Sequence, residues 1–284
     1  MIHDTILWQR LTGLYPESEA KAIVRWMLDV RFGLSLTDIV CGRLAQLSPA
    51  ENSELETIMR RLEQGEPVQY VVGTAYFCGR PFHVEPGVLI PRPETEELCQ
   101  WVIADAADNI PRTILDVGTG SGCIAITLAL SIPQSGVVAW DVSDVALRIA
   151  RDNASALGAD ITFERCNALD PQLSTVHCPL STINTIISNP PYICHNERAA
   201  MARNVLAYEP DEALFVSDDD PLLFYRAIAR YAAEALTTGG RLYFELNPLY
   251  AEDTVTMLSG FGFSHIEIRQ DAFGKQRLLQ ARKI

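Results

Sequence analysis

Four consecutive residues, Asn189, Pro190, Pro191 and Tyr192, are suited to bind and orient a planar NH2 group. Proline has no N–H to donate, so the Pro190 carbonyl and the Asn189 side-chain oxygen remain as hydrogen-bond acceptors. An amide or exocyclic amine is a weak nucleophile because its lone pair is delocalised. Two fixed acceptors would turn its nitrogen toward an electrophile while the Tyr192 ring packs on the planar group. No strong base is needed, because the nitrogen becomes acidic once alkylated. The alternative is a rigid proline turn with no ligand.

A glycine-rich turn comes earlier, where residues 116–122 read Asp-Val-Gly-Thr-Gly-Ser-Gly. Glycines let the backbone approach a ligand closely and leave N–H groups of the following helix facing it. The dinucleotide pattern GxGxxG or GxGxxA fails, because the sixth residue counted from Gly118 is Cys123. The pattern DxGxGxG is instead typical of sheets that bind S-adenosylmethionine. The alternative is a tight strand-to-helix corner.

Asp141 follows a second apolar run at residues 137–140. A carboxylate at the edge of a parallel sheet can accept hydrogen bonds from both ribose hydroxyls, as the acidic residue beyond the glycine loop does in dinucleotide folds. The alternative is an N-terminal cap for the next helix, which Ser143 or Asp144 can supply equally well. With the glycine turn upstream, the position favours a ribose ligand.

Apolar strands alternate with helices from Arg112 onward. Apolar runs without alternation indicate strands covered on both faces, and the β-α-β order predicts an α/β fold with a doubly wound, mostly parallel seven-stranded sheet. The loop before the last strand is too short for a parallel crossover, so these two strands form an antiparallel hairpin. We predict strands at residues 113–117, 137–140, 161–164, 185–188, 241–246, 265–269 and 276–281, and helices at 124–130, 145–157 and 221–236.

The N-terminal part of the chain has a helical period instead. Ser48 and Glu51 form a capping box with Pro49 at the first helical position. Two runs repeat apolar residues on one helix face, namely Ile23, Met27 and Val30, and then Leu55, Ile58, Met59 and Leu62. These runs predict a small helical bundle, which is either a partner-binding module or a stabilising cap.

Glycines and prolines separate short β-prone pieces at residues 70–72, 82–84 and 88–90. We interpret them as a hairpin, after which Pro93 begins a helix with glutamates in its first turn. The chain is therefore divided into a helical domain at residues 1–68, a β-hairpin linker at 69–92 and a sheet domain at 93–284.

The charge balance argues against nucleic acid as a ligand. The chain has 23 Lys and Arg against 36 Asp and Glu, a formal net charge of −13, and residues 1–70 carry seven basic and ten acidic side chains. Phosphate binding would lack its usual source of affinity. Hydrophobic residues make up 48% and charged residues 21%, which is typical of a folded chain and excludes a disordered one.

Other features exclude membrane and metal sites. No segment approaches the roughly 18 uninterrupted apolar residues of a membrane span, so we expect a cytoplasmic protein. The seven cysteines, at 41, 78, 99, 123, 166, 178 and 194, are at least 12 residues apart, and the five histidines form neither HxxxH nor HExxH. We expect reduced thiols and no metal.

These motifs together resemble the HemK/PrmC family of release factor glutamine N5-methyltransferases. In that family a helical N-terminal domain precedes a class I, Rossmann-like methyltransferase domain with an Asn-Pro-Pro-Tyr motif. Residues 88–98, VLIPRPETEEL, resemble the family's linker signature, and Asp271, Gly274 and Arg277 resemble its C-terminal hairpin. The resemblance covers nearly the whole chain.

The resemblance implies S-adenosylmethionine as cofactor and a set of site residues. Cofactor-binding residues would be Gly118, Thr119, Gly120, Ser121, Gly122, Asp141, Asn167, Ala168 and Asn189. The glutamine would be bound by Asn189, Pro190, Pro191 and Tyr192, with Asn189, Pro190 and Tyr192 catalytic. Asn167 stands where the family often has Asp, and Asn247 where it often has Gly; Glu209 and Pro210 fit the family without an assigned role beyond shaping the pocket.

The implied reaction is methyl transfer to the side-chain nitrogen of the glutamine in the Gly-Gly-Gln motif of a peptide chain release factor, by a monomer. The PRPETE sequence favours release factors over the glutamine of a ribosomal protein, which related enzymes modify. Methylation of an adenine or guanine amine in nucleic acid is a further alternative, which the charge disfavours. A non-catalytic binding protein with this fold is disfavoured by the complete Asn-Pro-Pro-Tyr motif and Asp141.

Overall fold

The computed structural model describes residues 4–106, 110, 112–170 and 182–284. They form two compact units. One contains the chain up to Thr74 together with Val84–Pro86 and Met201–Tyr208, and the other contains Ala75–His83, Gly87–Ala200 and Glu209–Ile284.

The secondary structure is mixed in type. The helices are α1 (Asp4–Gln9), α2 (Glu17–Phe32), α3 (Leu36–Val40), α4 (Pro49–Glu63), α5 (Val68–Val72), α6 (Pro93–Asp105), α7 (Cys123–Ser131), α8 (Asp144–Leu157), α9 (Arg203–Tyr208), α10 (Asp211–Leu214), α11 (Leu223–Ala235) and α12 (Ala251–Gly260), with 3-10 turns at Arg43–Gln46, His195–Ala200 and Pro248–Tyr250. The strands are β1 (Thr74–Phe77), β2 (Arg80–His83), β3 (Thr113–Val117), β4 (Gly136–Asp141), β5 (Ile161–Arg165), β6 (Ile183–Ser188), β7 (Ile193–Cys194), β8 (Phe215–Val216), β9 (Leu236–Glu245), β10 (Phe263–Gln270) and β11 (Gln276–Lys283).

The first unit is built on helices around one apolar core. The predicted capping box is present: Ser48 accepts from the Glu51 N–H, and the Glu51 side chain accepts from the Ser48 N–H. All four predicted apolar residues of α4 are buried. In α2 the buried face centres on Val24, Met27 and Leu28, so Ile23 and Val30 are only partly buried.

The second unit contains the seven-stranded sheet that the sequence predicts, in the order β10-β11-β9-β6-β3-β4-β5 within the described ranges. β9, β6, β3, β4 and β5 pair in parallel, whereas β11 is antiparallel to both β9 and β10. The chain adds β4 and β5 on one side of β3 and then returns to add β6 on the other side. The order of the strands therefore reverses between β3 and β6. Such a switch point leaves a crevice at the carboxyl ends of the strands.

Both faces of this sheet are covered. Consecutive strand residues alternate between two cores: Ile114 and Val137 pack with α6 and α7, whereas Leu115 and Val138 pack with α11 and α12. Burial on both faces explains why these strands are apolar runs in the sequence. None of the described helices combines the length and apolarity of a membrane crossing.

The hairpin before α6 is present, but its strands differ from the predicted ones. Val68–Val72 is a helix, because the Pro67 carbonyl accepts from the Tyr70 and Val71 N–H groups and Gly73 ends the turn at a φ of 72°. The two strands are β1 and β2, and residues 88–90 are not in a strand. The described cysteines are free thiols, and Cys178 lies outside the described residues.

Candidate active site

A cavity of about 250 Å³ lies at the carboxyl ends of β3, β4 and β6, within the second unit. Its wall also includes the loop before α6, through Val88, Arg92 and Thr95. Ten of the residues predicted from sequence line it: Gly118, Thr119, Gly120, Ser121, Asp141, Asn167, Ala168, Asn189, Pro190 and Pro191. Gly122 and Tyr192 do not.

The glycine turn is fixed to the neighbouring strand. The N–H groups of Gly118 and Thr119 both donate to the Trp140 carbonyl at 2.9 Å. Gly120 has a φ of 54°, a conformation that favours glycine, and its N–H donates to Asp141 Oδ2 at 2.9 Å. The turn therefore holds both its own backbone and the Asp141 carboxylate in place.

Gly122 does not line the cavity; it allows two helices to pack closely. A Cβ atom at this position would lie 3.0 Å from Ile126 Cδ1 and 3.1 Å from Ala150 Cβ, so only glycine lets α7 and α8 approach this closely. Ser121, one residue earlier, has a buried hydroxyl with no oxygen or nitrogen partner among the described residues. This hydroxyl is hydrogen-bonded to the Cys123 thiol, so it contributes to the packing of the turn.

The Asp141 carboxylate is oriented by two backbone N–H groups. Its Oδ1 accepts from the Ser143 N–H at 2.9 Å, and its Oδ2 accepts from Gly120. Each oxygen keeps a further lone pair, so the carboxylate can accept two hydroxyls. Ser143 itself caps α8 by accepting from the Ala146 N–H, which leaves the cap role to Ser143 rather than to Asp141.

Asp116 lies beneath the turn and is completely buried. Burial raises the pKa of this carboxyl to about 7, and the Thr119 hydroxyl, which donates to Oδ2 at 2.7 Å, partly opposes the shift. Asp116 does not line the cavity. Its contact with Thr119 instead supports the loop from below.

Asn167 lies at the carboxyl end of β5, in the cavity wall. Its Oδ1 accepts from the Leu169 N–H at 3.0 Å, so the side chain shapes its own loop. Only the remaining lone pair of this oxygen is left for an adenine amino group. A role for Asn167 and Ala168 in holding adenine stays a proposal.

The Asn-Pro-Pro-Tyr loop begins where β6 ends. The Ser188 hydroxyl donates to the Val117 carbonyl at 2.6 Å and ties this loop to the glycine turn. Asn189 lines the cavity, and its Nδ2 donates to Thr95 Oγ1 at 3.2 Å. No described residue donates to Asn189 Oδ1, so this oxygen is an unused acceptor on a residue that lines the cavity.

Tyr192 is held from behind the cavity wall, and its predicted contact with the substrate amide stays a prediction. Its hydroxyl donates to Glu245 Oε1 at 2.9 Å, and the Arg277 guanidinium lies 5.8 Å from the ring centroid. The phenol is therefore part of the support behind the cavity wall. Thr95 and Glu245 were missed by sequence reasoning, because they lie 94 and 56 residues from Asn189 along the chain and belong to no common motif.

Asn247, one of the departures from the family pattern, has a clear structural role. Its Nδ2 donates to the Tyr192 carbonyl at 3.0 Å and to Glu197 Oε1 at 2.8 Å. Glu197 also accepts from the Cys194 N–H at 2.9 Å. The Asn247 side chain thus holds the segment that follows the Asn-Pro-Pro-Tyr loop, a contact that glycine cannot make.

Two solved structures of similar fold are methyltransferases. The chain matches a 16S rRNA N2 methyltransferase of T. thermophilus, solved with AdoMet and guanosine, at a TM-score of 0.53 and 19% identity, over 74% of this chain and 50% of that one. It matches a methyltransferase of Pyrococcus furiosus at a TM-score of 0.52 and 16% identity, over 71% of this chain and 88% of that one. At these identities the likeness shows the fold.

Sequence comparisons show the family. Residues 98–214 match the model of the methyltransferase small domain, and residues 9–73 match that of the PrmC N-terminal domain. The release factor glutamine methyltransferase of Bacteroides thetaiotaomicron is 44% identical over 97% of both chains, and that of Flavobacterium psychrophilum is 38% identical over 96% of this chain and 95% of its own. The chain therefore belongs to the release factor glutamine methyltransferase family.

Proposed function

We propose that this protein transfers a methyl group from S-adenosylmethionine to the side-chain nitrogen of the glutamine in the Gly-Gly-Gln motif of a peptide chain release factor. The observation that carries the proposal is the hydrogen bond from Asn189 Nδ2 to Thr95, which leaves Asn189 Oδ1 as an acceptor in the cavity. An acceptor at this point selects a group with N–H to donate. A glutamine amide has such a group, whereas a carboxylate does not.

The cofactor would be held at the carboxyl ends of β3, β4 and β5. Gly118, Thr119, Gly120 and Ser121 would contact its methionine part, Asp141 its ribose hydroxyls, and Asn167 and Ala168 its adenine. When bound, S-adenosylmethionine supplies an electrophilic methyl group on a sulfonium. Gly122 supports this site by letting α7 pack closely on α8.

The substrate amide would be oriented by two acceptors, the Asn189 side-chain oxygen and the Pro190 carbonyl. Both residues line the cavity, and Pro191 completes this part of its wall. Two acceptors fix both amide hydrogens and therefore the direction of the nitrogen lone pair. The alkylated nitrogen is strongly acidic, so its proton can pass to water without a dedicated base.

The partner assignment rests on the family and on charge. Relatives that match nearly the full chain are named for release factors, and a net charge of −13 gives no general attraction for nucleic acid. We also propose the division at residues 68 and 92, with the helical domain contacting the body of the factor. A cytoplasmic location, where translation terminates, and a monomeric state belong to the same proposal.

The test is a methyl-transfer assay with labelled S-adenosylmethionine and a purified release factor, followed by peptide mass analysis. One added methyl on the glutamine of the Gly-Gly-Gln peptide is expected. A factor in which that glutamine is replaced by glutamate is the matched control and should take up no label. Label on adenine or guanine of RNA or DNA, or on a ribosomal protein, with none on the factor, would overturn the proposal.

A further inference from the structure

Glu245 ends β9 directly behind the Asn-Pro-Pro-Tyr loop. It is only 1% exposed and does not line the cavity, so it touches neither a cofactor nor a substrate there. Burial raises the pKa of Glu245, and hydrogen bonds from Thr95 and Tyr192 oppose the shift. A buried carboxylate is costly unless its oxygens are hydrogen-bonded, so the contacts of Glu245 indicate what it does.

One oxygen of Glu245 is linked to the Asn189 side chain through the Thr95 hydroxyl. The Thr95 hydroxyl donates to Glu245 Oε2 at 2.6 Å, and Thr95 Oγ1 accepts from Asn189 Nδ2 at 3.2 Å. A threonine hydroxyl has one hydrogen. Hydrogen bonds from Thr95 and Tyr192 and the charge of Arg277 favour the ionised form of Glu245, and in that form the carboxylate can only accept, so it takes the Thr95 hydrogen. Thr95 is therefore left with lone pairs alone for Asn189.

This order of donors and acceptors fixes which way the Asn189 amide faces. If the amide were rotated by half a turn, Oδ1 would meet Thr95 Oγ1 with no hydrogen between the two oxygens. The NH2 group must therefore face Thr95, and Oδ1 is the atom left for the cavity. The amide orientation that Glu245 imposes therefore leaves Asn189 Oδ1 to accept a substrate N–H.

The other oxygen of Glu245 holds Tyr192. The Tyr192 hydroxyl donates to Oε1 at 2.9 Å and accepts from Arg277 Nη1 at 3.4 Å. Burial raises the pKa of this hydroxyl well above its usual value, so it keeps the proton that it donates. The two ends of the Asn-Pro-Pro-Tyr loop are thus joined to one carboxylate.

We propose that Glu245 is a positioning residue that fixes the orientation of the Asn189 amide through Thr95 and anchors Tyr192, so that the loop presents acceptors and selects an amide. The inference rests on the proposed function for the identity of the substrate. It assigns Thr95 and Glu245 roles in the same site, acting through Asn189 and Tyr192.

The experiment compares steady-state methyl transfer by the full-length protein and four variants. Thr95→Val removes the hydroxyl at nearly constant shape and should lower kcat by about tenfold or more, with the KM for the release factor within about threefold. Thr95→Ser restores the hydroxyl and should recover most of the lost kcat. Glu245→Gln has one acceptor oxygen instead of two and should also lower kcat. Thr254→Val removes another buried hydroxyl, which lies in α12 and donates to the Tyr250 carbonyl, and is the matched control with kcat near that of the parent.

A second measurement does not depend on activity. In the parent, the Asn189 side-chain NH2 signals, assigned by their loss in Asn189→Asp, should exchange with water at least about tenfold more slowly than in Thr95→Val or Glu245→Gln. If Glu245→Gln does not fold, Thr95→Val carries the comparison. Thr95→Val with parental kcat and parental exchange, or Thr95→Ser as impaired as Thr95→Val, would overturn the inference. If the parent itself does not methylate the factor, the proposed function fails, and the exchange measurement still tests the positioning role.

Discussion

The carboxylate of Glu209 lies 2.5 Å from the guanidinium of Arg92, although 117 residues separate them. The other Glu209 oxygen accepts from the Ile90 N–H at 3.1 Å, and the Glu209 side chain is 1% exposed. Pro210, the next residue, lines the cavity together with Arg92. Glu209 therefore joins two segments of the cavity wall, which gives this residue the role that the sequence did not reveal.

Removing Glu209 should destabilise the protein. Glu209→Ala leaves the buried Ile90 N–H and the half-buried Arg92 without their acceptor, at an expected cost of about 2 to 4 kcal/mol in the free energy of unfolding. Asp211→Ala is the matched control, because it breaks an exposed ion pair with Arg198 (3.2 Å) and should cost about 0.5 kcal/mol or less. Urea unfolding of both variants measures the difference, and equal costs would contradict the assignment.

Asp141 should recognise ribose hydroxyls. Asp141→Ala also removes the acceptor of the Gly120 and Ser143 N–H groups, so a loss of cofactor affinity alone does not isolate the ribose contact. The comparison therefore uses S-adenosylhomocysteine and its 2′,3′-dideoxy analogue in calorimetry. The parent should prefer the natural ribose by about tenfold or more, which corresponds to roughly 1.5 to 3 kcal/mol for hydrogen bonds to a charged group.

In Asp141→Ala this preference should nearly disappear, because the variant has no carboxylate for the hydroxyls to contact. Asp144→Ala, an exposed residue of the first turn of α8, is the matched control and should keep the parental preference. An undiminished preference in Asp141→Ala would mean that the carboxylate only supports the glycine turn.

Asn189 should orient the target amide. Asn189→Ala removes the side-chain acceptor, and misplacement of a reacting group by about 1 Å costs on the order of a hundredfold in rate. Asn184→Ala removes an amide at the opposite end of the same strand, where Asn184 Oδ1 accepts from the Thr113 N–H at 2.8 Å, and should leave kcat nearly unchanged. If Asn189→Ala turned over at half the parental rate or better, the proposed amide contact would be wrong.

The sheet could be predicted from the sequence because its signals are local. Apolar runs bounded by Gly, Asp or Asn mark the strands, and the carboxyl ends of parallel strands necessarily meet at one edge. The predicted limits of β3 agree with the structure, those of β4 differ by one residue at each end, and those of β5 differ by one residue at one end. Residues 118 to 121, Asp141 and Asn189 follow such strands directly, so their meeting in one cavity followed from topology alone.

The supports behind the cavity could not be predicted in this way. Thr95 meets Glu245 across 150 residues, and neither lies in a motif with a chemical reading of its own. Tyr192 belongs to the motif, but its contact with Glu245 depends on a strand that comes 53 residues later. Residues 70–72 have β propensity and are nevertheless helical, because Pro67 and Gly73 fix the ends of a single turn.

Asp116 should make the stability of the protein depend on pH. Its folded pKa of about 7 lies above the usual value for an unfolded aspartate, so the folded state binds more protons than the unfolded state between about pH 4 and pH 7. The contribution of Asp116 to stability is therefore fully present below about pH 4 and is lost as the pH rises through about 7.

Asp116→Asn cannot ionise and keeps an oxygen for the Thr119 hydroxyl. Urea unfolding at pH 5 and pH 8 should show that Asp116→Asn gains stability relative to the parent at the higher pH, by on the order of 2 kcal/mol. Asp152→Asn, whose side chain is 63% exposed, is the matched control and should show no such gain. A difference between Asp116→Asn and the parent that stays constant from pH 5 to pH 8 would mean that Asp116 ionises normally in the folded protein.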